Sequence, residues 1–379
     1  MKPKDKKRVL VALSISQHFY YKGVARYAAE HGWHLVSNMI YTGKIPVGWK
    51  GDGILTFLGL RNDLVDFVLH SHVPAVDISL MRDDVDIPRV IGDNHMIGRL
   101  AAEHFLERDY KHFAWAPFRS DTVNRQRFEG FENTISAKGF HCHVLPCSQN
   151  KDDKTENWTA RRKDILRSIR KLPRPLAVFA YNDYIAADII DTCLEGGLHV
   201  PEEVAVMGVD NDPYICECAH IPLSSVIADL EGYAYQAAVL LDQLMHGHSS
   251  AKQMEKIPPK GVVTRTSTDI MAVDNLVVAR ALRFIAENYH RSISVEDVIS
   301  HVCVSRRPLE KAFRKTLNGT IHGEIVNYRL EKVKDLLINT DSTICDISEQ
   351  TGFTRPNHLF RTFRKMMGTS PNEYRTQNR

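Results

Sequence analysis

One change of rhythm constrains this chain more than any other feature: near residue 270 the hydrophobic pattern stops alternating between two periods and becomes helical throughout. Ahead of that point, short apolar runs alternate with segments of helical spacing, the sequence sign of a parallel-sheet α/β architecture. The runs are Val9–Leu13, Gly53–Phe57, Ala75–Ile78, Phe113–Ala116, Ala177–Ala180 and Val204–Val209; the helical segments between them include Tyr21–His31, Gly98–Leu106, Arg127–Lys138 and Ile185–Glu195. Their number suits two doubly wound parallel-sheet lobes. Ligands of such sheets sit outside the carboxyl ends of the strands, which puts Asp93, Asn182 and Asp210 in position to line a cleft. Beyond Asp269, Val278, Leu282, Ile285 and Tyr289 fall at helical spacing, Ser294 can cap a helix starting near Val295, and Val326, Leu330, Val333 and Leu337 form a long stripe. A chain of 379 residues calls for two or three compact units. The expected division is a two-lobed α/β domain over 1–271 and an all-α domain over 272–379.

The helical part contains an internal repeat. Leu309-x-x-x-Phe313-Arg314-Lys315 recurs as Leu359-x-x-x-Phe363-Arg364-Lys365, Val298 has its counterpart in Ile347, and Gly319-Thr320 echoes Gly368-Thr369. Each copy, over about 294–315 and 343–365, reads as a helix, a tight turn and a second helix whose Leu and Phe share one buried face. The first turn is Val302-Cys303-Val304-Ser305 and the second Thr351-Gly352-Phe353, where Gly352 can supply a positive φ. Two such units joined by the long helix of the Val326 stripe can enter successive major grooves on one face of B-DNA.

Charge agrees with that reading. From Ala272 onward there are 17 Lys and Arg against 12 Asp and Glu, and before it 32 against 34, so the tail carries +5 and the front −2. A tail of this sign gains a purpose once a groove-inserting motif stands in it. The seven cysteines (142, 147, 193, 216, 218, 303 and 345) are odd in number and lack the spacing of a disulfide framework or a zinc site, so they read as reduced thiols with no metal. The basic opening MKPKDKKR is followed by a short apolar run without a cleavage site, and no stretch approaches the ~20 apolar residues of a membrane span. The expectation is a soluble cytoplasmic protein without cofactor or membrane contact. The sequence has no P-loop, no G-x-S-x-G elbow and no zinc-protease motif, which argues against an enzyme.

The stretch Ile344-x-x-Ile347-Ser348-x-x-x-Gly352-Phe353-x-x-x-x-x-Leu359-Phe360-Arg361-x-Phe363-Arg364-Lys365-x-x-Gly368-x-Ser370-Pro371-x-x-Tyr374-Arg375 resembles the signature of the AraC/XylS regulators over roughly the last hundred residues. The front resembles the sugar-binding core of the LacI/GalR regulators, themselves similar to type I periplasmic binding proteins. The strings that carry this likeness are Arg127-Phe128-Glu129-Gly130-Phe131, Tyr181-Asn182-Asp183, Met207-Gly208-Val209-Asp210-Asn211, Pro222-Leu223-Ser224-Ser225-Val226 and Arg265-Thr266-Ser267-Thr268. The headpiece those regulators place before the first strand has no counterpart here, so the DNA reader is expected at the opposite end. Together the resemblances imply a sugar-responsive transcription regulator, foremost an activator, with a monosaccharide such as D-xylose as effector. They also imply a homodimer on repeated half-sites of double-stranded DNA and, for an activator, RNA polymerase as partner. A repressor, or a solute-binding receptor with no DNA role, are the alternatives.

The same resemblance implies Asp93, Arg127, Asn182 and Asp210 as ligand contacts: carboxylates accept from sugar hydroxyls, amides donate and accept, and arginine offers a planar fork. Aromatic faces add stacking, with Tyr20 and Trp115 as candidates beside Phe19 and Tyr21. The competing structural reading is that Asp and Asn at these positions cap helices or shape turns. In the DNA reader, Arg306, Arg307, Glu310 and Lys311 in the first copy and Arg355, Asn357, His358 and Arg361 in the second should be exposed toward the groove. Arg307 and Arg361 are the foremost base readers, because Arg pairs bidentately with guanine. Arg314, Lys315, Arg364 and Lys365 suit phosphate or solvent, and phosphate contact is the competing role for every cation in the set.

Overall fold

The computed structural model describes residues 6–15, 18–146, 157–248 and 254–378; the first five residues of the basic opening and Cys147 lie outside them. The first sheet is built from β1 (Arg8–Leu13), β2 (His34–Val36), β3 (Gly53–Phe57), β4 (Ala75–Asp77) and β5 (Arg89–Gly92), interleaved with α1 (His18–His31), α2 (Met39–Thr42) and α3 (Asn62–Leu69). At the end of β5, α4 (Asn94–Leu106) carries the chain into a second lobe. There follow β6 (His112–Ala116), α5 (Thr122–Ser136), β7 (Cys142–Val144), α6 (Trp158–Arg170), β8 (Leu176–Ala180), α7 (Asp183–Glu195), β9 (Val204–Val209), α8 (Pro213–Cys216) and β10 (Ser224–Ile227). The chain then returns through α9 (Leu230–Met245) to β11 (Met254–Ile257), which pairs in parallel with β5, and crosses again to β12 (Gly261–Val263), antiparallel to β10. The sheet orders are β2-β1-β3-β4-β5-β11 and β7-β6-β8-β9-β10-β12. The chain therefore passes between the lobes three times, a topology that the two-lobe reading of the sequence did not specify.

Both faces of each sheet are covered, so the central strands are apolar without alternation: β3, β6, β8 and β9 read GILTF, HFAWA, LAVFA and VAVMGV. Two glycines let α4 and α5 touch backbone to backbone. A Cβ on Gly98 would stand 2.1 Å from the Arg127 carbonyl, and one on Gly130 2.1 Å from the His95 carbonyl. That close approach brings Asn94, at the start of α4, against Arg127 on α5.

The helical part comprises α10 (Leu276–Asn288), α11 (Val295–Val302), α12 (Arg306–Leu317), α13 (Ile321–Asn339), α14 (Ile344–Gln350), α15 (Pro356–Met367) and α16 (Pro371–Asn378). It holds two separate cores. Val298, Leu309 and Phe313 pack with α10 and with Ile321 and Ile325 from the start of α13, while Ile347, Leu359 and Phe363 pack with Leu330, Val333 and Leu337 from its second half. The repeat extends to the caps: Ser294 with Asp297 on α11 and Thr343 with Asp346 on α14 both form reciprocal capping boxes.

The two parts of the chain meet through polar contacts. Asp269, just after β12, accepts from Tyr328 Oη at 2.5 Å and lies 3.3 Å from Lys332 Nζ, both on α13. Arg283 of α10 donates to the Val200 carbonyl at 3.2 Å and reaches the buried Glu202 at 3.3 Å.

Candidate functional site

The carboxyl ends of both sheets face one another across a cavity of ≈ 340 Å³, within the size range of small-molecule sites. The first lobe contributes Phe57, the segment Ile78–Met81, and Ile91 and Gly92; the second contributes Phe118, Arg119, Arg127, Tyr181, Asn182 and Asp210; Tyr20 and Tyr233 close the floor. This is where sheets of this type bind ligands, because strand ends and helix starts leave polar groups free there.

Arg127 is the centre of the polar set. It is buried, donates from Nε to Asn94 Oδ1 at 3.1 Å and from Nη1 to the Tyr181 carbonyl, and its guanidinium lies 5.2 Å from the Tyr181 ring centroid. Its Nη2 is 3.8 Å from Asp210 Oδ1, an ion pair too long for a hydrogen bond. Asp210 follows β9 with φ 101°, a conformation that L side chains rarely adopt. Burial raises its carboxyl pKa, with Arg127 opposing the shift. Behind it, Asp183 is 2% exposed, accepts from Ser225 Oγ at 2.6 Å and from the Asp212 amide at 2.8 Å, and is pushed by burial and by Asp210 up to about 7. It holds the loop that carries Asp210. Among the described residues, Asp210 Oδ1, Tyr233 Oη and Arg119 Nε are buried without a hydrogen-bond partner. Such atoms are costly unless something in the site meets them.

Of the six ligand contacts expected from the sequence, Arg127, Asn182, Asp210 and Tyr20 come together in this cavity. Asn182 also caps α7, its Oδ1 accepting the Ile185 amide at 3.1 Å. Two expectations need correction. Trp115 is 1% exposed and packs on Phe179 and Phe128, its centroid 5.0 and 6.2 Å from theirs, so it belongs to the core; the strand it sits in is buried on both faces and gives no alternation from which to read its direction. The Asp93 carboxylate caps α4 by accepting the Met96 amide at 3.0 Å, and its neighbour Asn94 lines the cavity instead. Tyr181 and Tyr233, missed at the level of sequence, are aromatic wall residues. Tyr181 could have been found beside Asn182, whereas Tyr233 is delivered by the return helix α9 from far along the chain.

In the helical part, α12 and α15 are the second helices of the two units, with Leu309, Phe313, Leu359 and Phe363 turned inward. Arg307, Lys311, Arg355, Asn357, His358 and Arg361 are exposed on the opposite side. Arg306 differs from them: its Nη1 is 2.7 Å from Glu296 and its Nε 2.9 Å from Glu310, so both members of the expected pair Arg306 and Glu310 are engaged inside the unit. The Gly352 turn has φ 72°, the positive value that a glycine there can supply; the first turn reaches the same region through Cys303 at φ 55°. Pro356 opens α15 and Pro308 lies in the first turn of α12, where a missing N–H does little harm.

Comparison with known proteins bears on both parts. Residues 102–268 match the family model for a periplasmic binding protein-like domain, and residues 298–377 match that for a helix-turn-helix domain. The chain is 27% identical over 368 residues to the xylose operon regulatory protein of Escherichia coli (strain K12), covering 94% of this chain and 93% of that one. The chain thus joins a periplasmic binding protein-like domain to a helix-turn-helix domain, in line with its likeness to that relative over nearly the whole length. Over 98 residues, 26% of this chain and 32% of that one, it is 35% identical to the melibiose operon regulatory protein of the same strain. Its fold matches the solved structure of the xylose-binding transcription activator xylR with a TM-score of 0.71 at 24% identity, over 99% of both chains. A LacI family regulator from Enterococcus faecalis V583 with bound ribose matches 69% of the chain at a TM-score of 0.54. The names of these relatives are those of transcription regulators, two of them described as binding or holding a sugar. No helix among the described residues is long and apolar enough to cross a membrane.

Proposed function

We propose that the regulator is a cytoplasmic homodimer that activates transcription in response to a monosaccharide, D-xylose foremost, bound between the lobes of residues 1–271 and read out by residues 272–379. The observation that carries the reading is the Arg127–Asp210 pair at 3.8 Å, set at the facing strand ends of a ≈ 340 Å³ cavity whose polar atoms are incompletely satisfied. A polyhydroxyl ligand supplies both donors and acceptors to such a pair, and Tyr20, Tyr181 and Tyr233 offer the apolar faces that sugar C–H surfaces need. The similarity to xylose operon regulators over nearly the whole chain supports the choice of a pentose. Arg127, Asn182, Asp210 and Tyr20 are the proposed contacts.

The exposed face of α12 and α15 is the proposed DNA surface, with Arg307 and Arg361 reading bases and the neighbouring cations holding phosphates. Sugar controls the output only if it binds the closed and open arrangements of the lobes with different affinity. The activator then recruits RNA polymerase from a pair of repeated half-sites. Calorimetry of the full chain with D-xylose tests the sensor. Heat is expected with the natural protein and its loss with Arg127→Ala; heat that survives Arg127→Ala excludes Arg127 as an anchor. Selection from a randomised duplex pool followed by a promoter–reporter assay tests the output. Reporter activity rising with sugar supports activation, and activity rising when the regulator is deleted identifies a repressor.

A further inference from the structure

The first crossing between the lobes, α4, is tied at its two ends to different parts of the molecule. At its start the buried Asn94 lines the cavity and accepts from Arg127 Nε at 3.1 Å. The helix is 13 residues long, and at 1.5 Å per residue its far end lies roughly 20 Å away. There, just ahead of β6, it meets the segment 268–272 that leads from the second lobe into the helical part. Arg108 donates from Nε to the Thr268 carbonyl at 3.0 Å and from Nη1 back to the His104 carbonyl at 3.1 Å, and its own carbonyl accepts the Ala272 amide at 2.8 Å. One turn earlier, burial pushes the pKa of His104 down to about 3, so the ring is neutral, and its Nε2 lies 2.7 Å from Thr268 Oγ1. Thr268 Oγ1 in turn donates to Ser224 Oγ at 2.8 Å.

The next residue of that segment belongs to the other side. Asp269 opposes the lowering that burial imposes on the Arg108 guanidinium, and it is held from α13 by Tyr328 Oη at 2.5 Å and Lys332 Nζ at 3.3 Å. Since α13 floors both helix-turn-helix units, a displacement of 268–272 reaches both second helices together. A hydrogen-bonded helix does not change length, so a shift of its start in the cavity wall is delivered to its end; shifts of 1–2 Å are the usual scale of such movements. The backbone approach at Gly98 and Gly130 makes α4 move with α5, which carries Arg127. The other contact between the two parts lies off this line. Arg283 reaches Val200 and Glu202 on the connection between α7 and β9, away from the cavity.

We propose that Arg108 and Tyr328 are positioning residues that carry effector occupancy from the cavity, along α4, to the floor of the helix-turn-helix units. This rests on the sugar-sensor reading above. The test uses the full chain and a duplex selected from the randomised pool. DNA affinity is measured with and without saturating sugar, and sugar affinity by calorimetry, with D-xylose, L-arabinose and D-ribose as probes. In the natural protein, sugar should change DNA affinity at least about fivefold. Arg108→Met and Tyr328→Phe should each bring that ratio to within about twofold of one while sugar binding persists. The double change should go no further than the single ones, because both act on one line of contacts. Arg283→Met should keep the natural ratio. Tyr328→Phe, which removes a single hydroxyl, decides the outcome if Arg108→Met melts early. A natural ratio in Tyr328→Phe, or an equal loss with Arg283→Met, overturns the role of these residues and leaves the sensor reading standing. So does sugar binding that leaves the DNA affinity of the natural protein unchanged. A natural protein that binds none of the three sugars overturns both.

Discussion

In the first helix-turn-helix unit the chain turns through Cys303 at φ 55° and the leading arginine of the second helix is clamped between Glu296 and Glu310; in the second unit the turn is Gly352 at φ 72° and the leading Arg355 stands at the helix start without a side-chain cap bond. The scaffold beneath is the same. Both units have a capping box on the first helix, a Leu and a Phe four residues apart on the second, and half of α13 as their floor. The comparison shows that what must bury apolar surface has been kept, while what faces outward has diverged. The glycine has an additional reason. A Cβ at Gly352 would stand 2.1 Å from the Tyr289 carbonyl and 3.0 Å from that of Arg291, so the second turn presses directly on the chain between α10 and α11 of the first unit. Arg329 of α13 closes the same contact, donating to those two carbonyls at 2.9 and 2.6 Å. The relative placement of the two reading helices is thus held by backbone contact as well as by α13.

The largest effects should come from the shared scaffold. Phe313→Ala and Phe363→Ala each remove a fully buried ring and are expected to cost about 3–5 kcal/mol. Hydrogen exchange should show the loss of protection concentrated in the unit that carries the change; equal loss in both would merge the two cores into one. Gly352→Ala comes next, at about 3 kcal/mol, because a strained φ is joined to a clash with backbone that cannot swing away. Cys303→Gly should stay within about 1 kcal/mol, and thermal melts that gave the two turns equal sensitivity would remove the asymmetry argued above.

On selected DNA, Arg361→Ala is expected to weaken binding by roughly 1–3 kcal/mol and to relax preference at one base pair. Arg306→Ala should lose less, since that guanidinium is already held by two carboxylates. Titrations in which Arg306→Ala matched Arg361→Ala would mean that its ion pairs open on the duplex. The smallest expected effect is a symmetric one: Ser294→Ala and Thr343→Ala should each cost about 1 kcal/mol, measured by denaturant melts of the full chain.

Much of this was legible beforehand because the signals were local. A repeat of Leu and Phe at helical spacing, a serine ahead of an apolar stripe and a glycine in a tight turn each report on a few neighbouring residues, and the structure places all three as read. In the α/β part, Asn182 and Asp210 could be placed at the cavity from their position at strand ends, and Arg127, inside α5, only from the family resemblance. Where the reading failed, the deciding neighbour was distant or the pattern was silent. Trp115 lies in a strand buried on both faces, so cleft and core look alike in sequence. Asp93 and Asn94 differ by one position at a helix start, and only the approach of α5 at Gly98 decides which side chain meets the cavity. The Glu310 partner of Arg306 lies one helical turn away and could have been suspected, but Glu296 reaches it from another helix.

The amino-acid order by itself determined the two kinds of fold and the duplicated helix-turn-helix unit, because periodicity and turn chemistry act over short stretches of chain. The arrangement of the cavity between the lobes and the seam between the two helix-turn-helix units depend on groups brought together across tens to more than a hundred residues, and the engagement of Arg306 on the packing of one helix against the next. Burial of apolar surface drives that assembly without direction, so which polar groups end up paired, and which are left facing a cavity, is decided only when the lobes and helices have packed.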